Sequence, residues 1–174
     1  MKTGIVGLGL RAANVLKMLV EDLPELDLVG YVDPDPCGLS ILDDVSHNLI
    51  RFETLDEMIE KCSLDLLWVA SPNHLHLEHI KVGLEAGLKV FSEKPIVTTK
   101  EDSFSLAKLI KKYGESKLIV GLVLRYSVHM RELRRILDAG TLGKITSLEA
   151  NEHIAPFHGS FFMRDWRRLE KYSG

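Results

Sequence analysis

Lys94 lies in Ser92-Glu93-Lys94-Pro95, directly after Leu88-Lys89-Val90-Phe91, a short apolar run that reads as a buried strand. Proline fixes φ and stops a strand, so the lysine emerges where the strand ends. Far upstream, Gly7-Leu8-Gly9-Leu10-Arg11-Ala12 fits the pattern G-x-G-x-x-G/A. The first glycine permits a tight turn and the second lets the backbone approach a pyrophosphate. The small third residue lets helix and strand pack closely. A helix that starts there offers unpaired N–H groups to phosphates. In an open parallel sheet, ligands collect beyond the carboxyl ends of the strands. A turn that holds phosphates and a cation delivered at another strand end are the parts of a site for a bound dinucleotide and its reactant. The plain alternatives are a structural glycine turn and a surface lysine.

Other residues fall on the same expected rim. Asp33 follows Gly9 by 24 positions and ends the second strand. Its carboxylate suits a ribose 2′-hydroxyl and repels a 2′-phosphate, and no Arg or Lys follows nearby, so NAD is favoured over NADP. Aspartate in an Asp-Pro turn also caps that turn, and both roles stay open. Ser71-Pro72-Asn73-His74-Leu75-His76 follows the most apolar run. His74, His76 and His79 invite a metal, but only positions three or four apart share a helix face, and a zinc site needs a third protein ligand. Capping and packing are the better account, and no metal is assigned. Arg125 and Tyr126 also follow a strand end, either to reach the cleft or to serve as a salt-bridging arginine and a half-buried tyrosine. Arg131, Arg134, Arg135 and Arg164-Asp165-Trp166-Arg167-Arg168 make the last third locally basic, a solvated face or a contact for an anionic or polyhydroxyl substrate.

The elements that must hold these residues alternate. Strands are expected at Thr3–Val6, Leu26–Val32, Ile50–Phe52, Leu64–Ala70, Val90–Phe91 and Lys117–Val123. Helices are expected at Leu10–Glu21, near Leu39–Val45, from Thr54 to Lys61, at Leu75–Ala86, from Thr99 to Tyr113 and at Val128–Leu137. Thr54 with Glu57 and Thr99 with Asp102 supply capping signals, and Gly87 ends a helix. Such alternation means a parallel sheet with helical crossovers. The fold class is therefore α/β, a Rossmann-type doubly wound sheet over residues 1–124. In residues 125–174 the pattern changes. Lys144–Glu152 alternates apolar and polar residues, the mark of a half-exposed antiparallel strand. The residues after it cannot complete a sheet, so this part reads as the start of an α+β substrate and oligomerisation domain, cut short.

The 174 residues are 45% hydrophobic and 27% charged, ordinary for a globular protein. A net charge of −3 and a pI near 6.2 argue against a nucleic-acid binder. No apolar run approaches the ~20 residues of a membrane span. Arg11 interrupts the only stretch that resembles a signal peptide. Cys37 and Cys62 form no disulfide framework, and a reducing cytoplasm is the expected setting.

These motifs resemble the glucose-fructose oxidoreductase / inositol dehydrogenase (Gfo/Idh/MocA) family. The resemblance rests on Gly7-Leu8-Gly9-Leu10-Arg11, Ser71-Pro72-Asn73-His74-Leu75-His76, Glu93-Lys94-Pro95, Arg125-Tyr126 and Leu142-Gly143-Lys144-Ile145. It implies a nicotinamide-dependent oxidoreductase acting on CH–OH groups of sugars, inositols or related compounds. In that family the lysine matching Lys94 lies beside nicotinamide and substrate, and the following proline is often cis. The implied catalytic residue is Lys94. The implied cofactor contacts are Gly7, Leu8, Gly9, Leu10, Arg11, Asp33, Ser71, Pro72, Asn73, His76, Glu93, Lys94, Pro95 and Arg125. The family's aspartate and histidine for proton transfer follow a glycine-rich stretch, which Trp166-Arg167 and Tyr172-Ser173-Gly174 resemble in approach. His153 and His158 stand in the wrong segment for that role. A small polyhydroxyl substrate, NAD and a homo-oligomer of the full-length protein are the expected partners. The rival readings are an NAD-binding module without catalysis and a nucleotide-regulated scaffold.

Overall fold

A computed structural model describes residues 1–45 and 48–174. Five crossovers connect six strands: β1 (Lys2–Val6), β2 (Asp27–Val32), β3 (Ile50–Arg51), β4 (Leu66–Val69), β5 (Lys89–Ser92) and β6 (Leu118–Val120). All neighbouring pairs are parallel, in the order β3-β2-β1-β4-β5-β6. The order reverses between β1 and β4, which makes that junction the topological switch point of a doubly wound sheet.

Between the strands run α1 (Leu10–Asp22), α2 (Leu39–Leu42), α3 (Leu55–Lys61), α4 (His76–Glu85) and α5 (Lys100–Tyr113). Period-2 alternation in the strands divides the apolar residues between the two faces. Ile5, Tyr31, Leu66 and Trp68 pack with Ala13, Leu16 and Leu42 of α1 and α2. Val6, Leu67, Val69 and Val90 pack with Met58, Ile80, Leu84 and Leu106 of α3, α4 and α5. Thr54 and Thr99 cap α3 and α5, accepting from the amides of Glu57 (3.2 Å) and Asp102 (3.0 Å). The Glu57 carboxylate reaches back to accept from the Glu53 amide at 3.2 Å. Gly87 and Gly114 take positive φ values of 79° and 96° after α4 and α5, where a side chain would be strained.

Two compact units are present. The first is Met1–Gly121 with Glu170–Gly174, and the second is Leu122–Leu169. The second unit contains a 3-10 turn at Val123–Tyr126, then α6 (Val128–Asp138), α7 (Pro156–Phe162) and a further turn at Asp165–Arg168. α8 (Glu170–Ser173) returns to the first unit.

Three expectations are corrected here. Lys144–Glu152 forms no strand, since residues 145–155 have neither helix nor strand. Alternation gives a strand two faces but no hydrogen-bonding partner, and an unpaired strand is not stable. The strand expected at Lys117–Val123 is shortened to Leu118–Val120, because Lys117 closes a turn onto the Gly114 carbonyl and Val123 enters a 3-10 turn. The third strand stops at Arg51, and the Phe52 amide makes one last bond to the Tyr31 carbonyl at 2.9 Å. Among the described residues no helix is long and apolar enough to cross a membrane.

The two-layer packing is testable by truncation. Leu67 is wholly buried on β4, whereas Phe104 on α5 is 61% exposed. Leu67→Ala is expected to lower unfolding free energy by about 2–5 kcal/mol, and Phe104→Ala by no more than about 0.5 kcal/mol, both read by urea denaturation.

Candidate active site

Parallel strands put every carboxyl end on one edge of the sheet, so the loops after β1, β2, β4 and β5 gather there. Gly7 leaves β1 with φ of 87°. Its amide donates to the Val32 carbonyl at 3.0 Å. A Cβ on Gly7 would stand 2.4 Å from the Ser71 amide nitrogen and 2.5 Å from the Ala70 carbonyl. The first and fourth strands therefore touch, backbone to backbone, at the switch point. Gly9 differs: nothing lies within 4 Å of where its Cβ would be. It is the N-cap of α1, in extended conformation and with no side-chain cap. The first intrahelical bond is Ala13 amide to Gly9 carbonyl (3.1 Å), so the amides of Leu10, Arg11 and Ala12 lack intrahelical acceptors. Open space above a glycine and free helical N–H groups fit the phosphates of a dinucleotide. Leu8 is buried in the core beneath the turn and contributes its backbone.

Asp33 serves the turn directly. Its Oδ2 accepts from the Leu8 amide at 2.5 Å and its Oδ1 from the Asp35 amide at 2.8 Å. Each carboxylate oxygen has about two acceptor sites, so each keeps one for a ribose hydroxyl. Turn capping and ribose binding are compatible at this residue. Gly38 was not singled out from the sequence. Its amide donates to the Leu8 carbonyl at 2.9 Å, and a Cβ there would meet the Gly9 carbonyl oxygen at 2.6 Å and Ala13 Cβ at 2.7 Å. The signal was present as a glycine just after Asp33-Pro34-Asp35-Pro36, but its contact with the first turn is long-range.

After β4, Ser71-Pro72 leads into a 3-10 turn at Asn73–Leu75 and then α4. Two histidines approach Ser71. His76 Nε2 lies 2.8 Å from its carbonyl and His79 Nδ1 lies 2.9 Å from its hydroxyl. His76 Nδ1 lies 2.7 Å from the Pro95 carbonyl. The histidines thus knit loops together, and His76 is 1% exposed. Asn73 Nδ2 donates to the Ser173 carbonyl at 3.4 Å, and the His74 and Tyr172 rings lie 4.7 Å apart. The contact made by α8 has no short-range sequence signal, because it spans some hundred residues.

After β5, the Glu93 amide donates to the Val69 carbonyl at 2.8 Å. The Glu93 carboxylate approaches Arg11 Nε at 4.0 Å, and the arginine is largely exposed. An exposed pair at that distance contributes little stability but ties the start of α1 to this loop. The Lys94–Pro95 peptide bond is cis. The Lys94 side chain is exposed and makes no hydrogen bond or ion pair among the described residues. Arg125 and Tyr126 belong to the second unit, where both are exposed.

The sequence model of the oxidoreductase family GFO_IDH_MocA, with its NAD-binding Rossmann fold, matches residues 1–122. The chain belongs to this family. This Gfo/Idh/MocA chain is 28% identical over 97% of its length to a putative oxidoreductase, YteT, of Bacillus subtilis, covering 41% of that protein. It is 27% identical over 82% of its length to inositol 2-dehydrogenase 3 of Saccharopolyspora erythraea, covering 42% of it. Among solved structures it matches scyllo-inositol dehydrogenase from Lactobacillus casei with bound NAD(H) and scyllo-inositol. There the TM-score is 0.73 at 28% identity, over 84% of this chain and 43% of that one. Myo-inositol 2-dehydrogenase from Lactobacillus plantarum gives 0.74 at 26% identity, over 83% and 43%. The Gfo/Idh/MocA chain thus spans about two fifths of the length of the relatives it matches.

Two expectations follow. Gly7→Ala forces a side chain into the Ala70–Ser71 backbone and costs roughly 1–3 kcal/mol from its φ alone, seen as a lowered melting temperature. Gly9→Ala melts close to wild type but binds NADH more weakly by calorimetry. The second expectation concerns pH. Burial holds the His79 imidazole below its ordinary value, with Glu78 opposing. The folded state therefore binds fewer protons than the unfolded one, and the contribution of His79 is complete above pH ~6.5 and declines as pH falls below it. Melting curves across that range are expected to show the loss, and His79→Gln to flatten it.

Proposed function

We propose that this chain carries the dinucleotide site of an oxidoreductase that moves a hydride between NAD(H) and a CH–OH group of a polyhydroxyl substrate, an inositol or a sugar. One observation carries the reading: an exposed, unpaired Lys94 follows β5 on the same edge of the sheet as the open Gly9 turn, across the switch point. The names of the relatives, several of them inositol dehydrogenases, support the substrate class.

The nicotinamide supplies the hydride chemistry when bound. The Leu10, Arg11 and Ala12 amides hold the phosphates by hydrogen bonds and by the positive end of α1. Asp33 accepts from the ribose hydroxyl, and its negative charge disfavours a 2′-phosphate, so NAD is preferred to NADP. Lys94 holds its proton at Nζ and donates to the substrate oxygen. In the reductive direction, hydride arriving at a carbonyl carbon would leave negative charge on the oxygen for the ammonium to stabilise; in oxidation the same ammonium would stabilise the alkoxide left when the hydroxyl proton passes to solvent, before hydride departs to the nicotinamide. The exposure of Lys94 leaves all three of its donors for this contact. In this reading residues 125–174 begin the substrate and oligomerisation domain.

Lys94→Met removes the donor and keeps much of the aliphatic stem. It is expected to reduce NAD-dependent oxidation of myo-inositol, scyllo-inositol or a sugar panel by about 10²–10³-fold, followed by NADH absorbance. Its NADH affinity by calorimetry stays close to wild type, and wild type binds NADH more tightly than NADPH. Unchanged turnover in Lys94→Met removes the lysine from the chemistry.

A further inference from the structure

The proline carbonyl beside Lys94 is held by a single side chain. His76 stands between two loops, with Nδ1 2.7 Å from the Pro95 carbonyl and Nε2 2.8 Å from the Ser71 carbonyl. The ring is 1% exposed, so water does not substitute for either contact. Ser71 is anchored through its hydroxyl, 2.9 Å from His79 Nδ1. The loop after β4 is therefore fixed to α4, and His76 extends that fixing to the loop after β5. Lys94 precedes Pro95 and makes no side-chain bond of its own among the described residues. Its position is set by its backbone, and its backbone is set on one side by the Glu93 amide bond to Val69 (2.8 Å) and on the other by His76.

We propose that His76 is the positioning residue for Lys94, acting in the tautomer that donates from Nδ1 to the Pro95 carbonyl; both facing carbonyls accept, so the neutral ring in that form has no N–H left for Ser71. This rests on the reading of Lys94 as the cation of the hydride site. A group held about 1 Å out of place loses up to ~10²-fold in rate. His76 belongs to the same motif as Asn73, yet its work is done at the far loop and not on the cofactor.

Two replacements separate the ring's contacts. In His76→Asn the new side-chain amide nitrogen takes the place of Nδ1 and keeps the Pro95 bond. In His76→Gln it takes the place of Nε2, faces the Ser71 carbonyl and leaves the Pro95 carbonyl without that donor. The full chain is acetylated at lysine with acetic anhydride, with and without NADH, and peptide mass spectrometry reads the rate at Lys94. Calorimetry measures NADH binding in the same samples. In wild type and His76→Asn, NADH is expected to slow acetylation of Lys94 about tenfold, and in His76→Gln about twofold or less, a gap within the range that misplacement produces. NADH affinity stays within about threefold throughout, under 1 kcal/mol. Equal protection in all three proteins overturns the proposal. So does equal loss in both variants, which makes the ring's volume the cause. If NADH binds wild type but leaves Lys94 unprotected, the reading of Lys94 itself fails, and the positioning role with it. A measurement on wild type alone is also decisive: ring ¹⁵N NMR is expected to show a proton on His76 Nδ1, and an unprotonated Nδ1 overturns the proposal.

Discussion

The absence of one side chain lets the ends of two strands touch. Gly7 presses its Cα against the Ala70–Ser71 backbone, closer than any Cβ allows, and the site is arranged around that contact. It brings the β1 turn beside the β4 loop at the point where the strand order reverses. Its left-handed φ aims the chain into α1, whose first amides then face outward. The neighbouring glycines divide the remaining work. Gly9 keeps space open above the turn, and Gly38 brings the loop after β2 down onto it. Three glycines thus do different things, and the sequence pattern distinguishes only Gly7 and Gly9.

The second organising feature is the pair of histidines at the start of α4. A serine at a strand end has a carbonyl and a hydroxyl to satisfy, and a buried carbonyl without a partner costs about 1–3 kcal/mol. His76 and His79, three apart, stand on one helix face; His79 meets the Ser71 hydroxyl, and His76 lies between the Ser71 and Pro95 carbonyls, to one of which its neutral ring donates. A rigid helix therefore fixes two loops at once, a firmer support than loops give each other.

Much of this was legible from residue order. Apolar runs bounded by Gly, Pro and Asp marked the strands, and Thr54 and Thr99 marked helix starts, because those signals are local. The glycine turn, Asp33 and Lys94 were legible for the same reason: each follows a strand. What was not legible depends on partners distant in sequence. Lys144–Glu152 has the alternation of a strand but no neighbour to bond, and alternation alone does not supply one. His76 was read from its motif as a cofactor contact, and the approach of its buried ring to the Pro95 carbonyl is not readable from that motif. The approach of Gly38 to Gly9, and of Ser173 to Asn73, likewise needs the folded chain.

In the proposed reading, Asp33 would link cofactor choice to folding. Its two oxygens secure the Leu8 and Asp35 amides, so the carboxylate that would discriminate against a 2′-phosphate is also a structural clamp. Protein engineers who exchange it for a neutral or basic residue to admit NADP would release both amides together. Cofactor reprogramming here is then a two-site problem in which compensating acceptors near the glycine turn come first and charge reversal second. On that reading, single substitutions at position 33 would loosen the turn before any new affinity is gained.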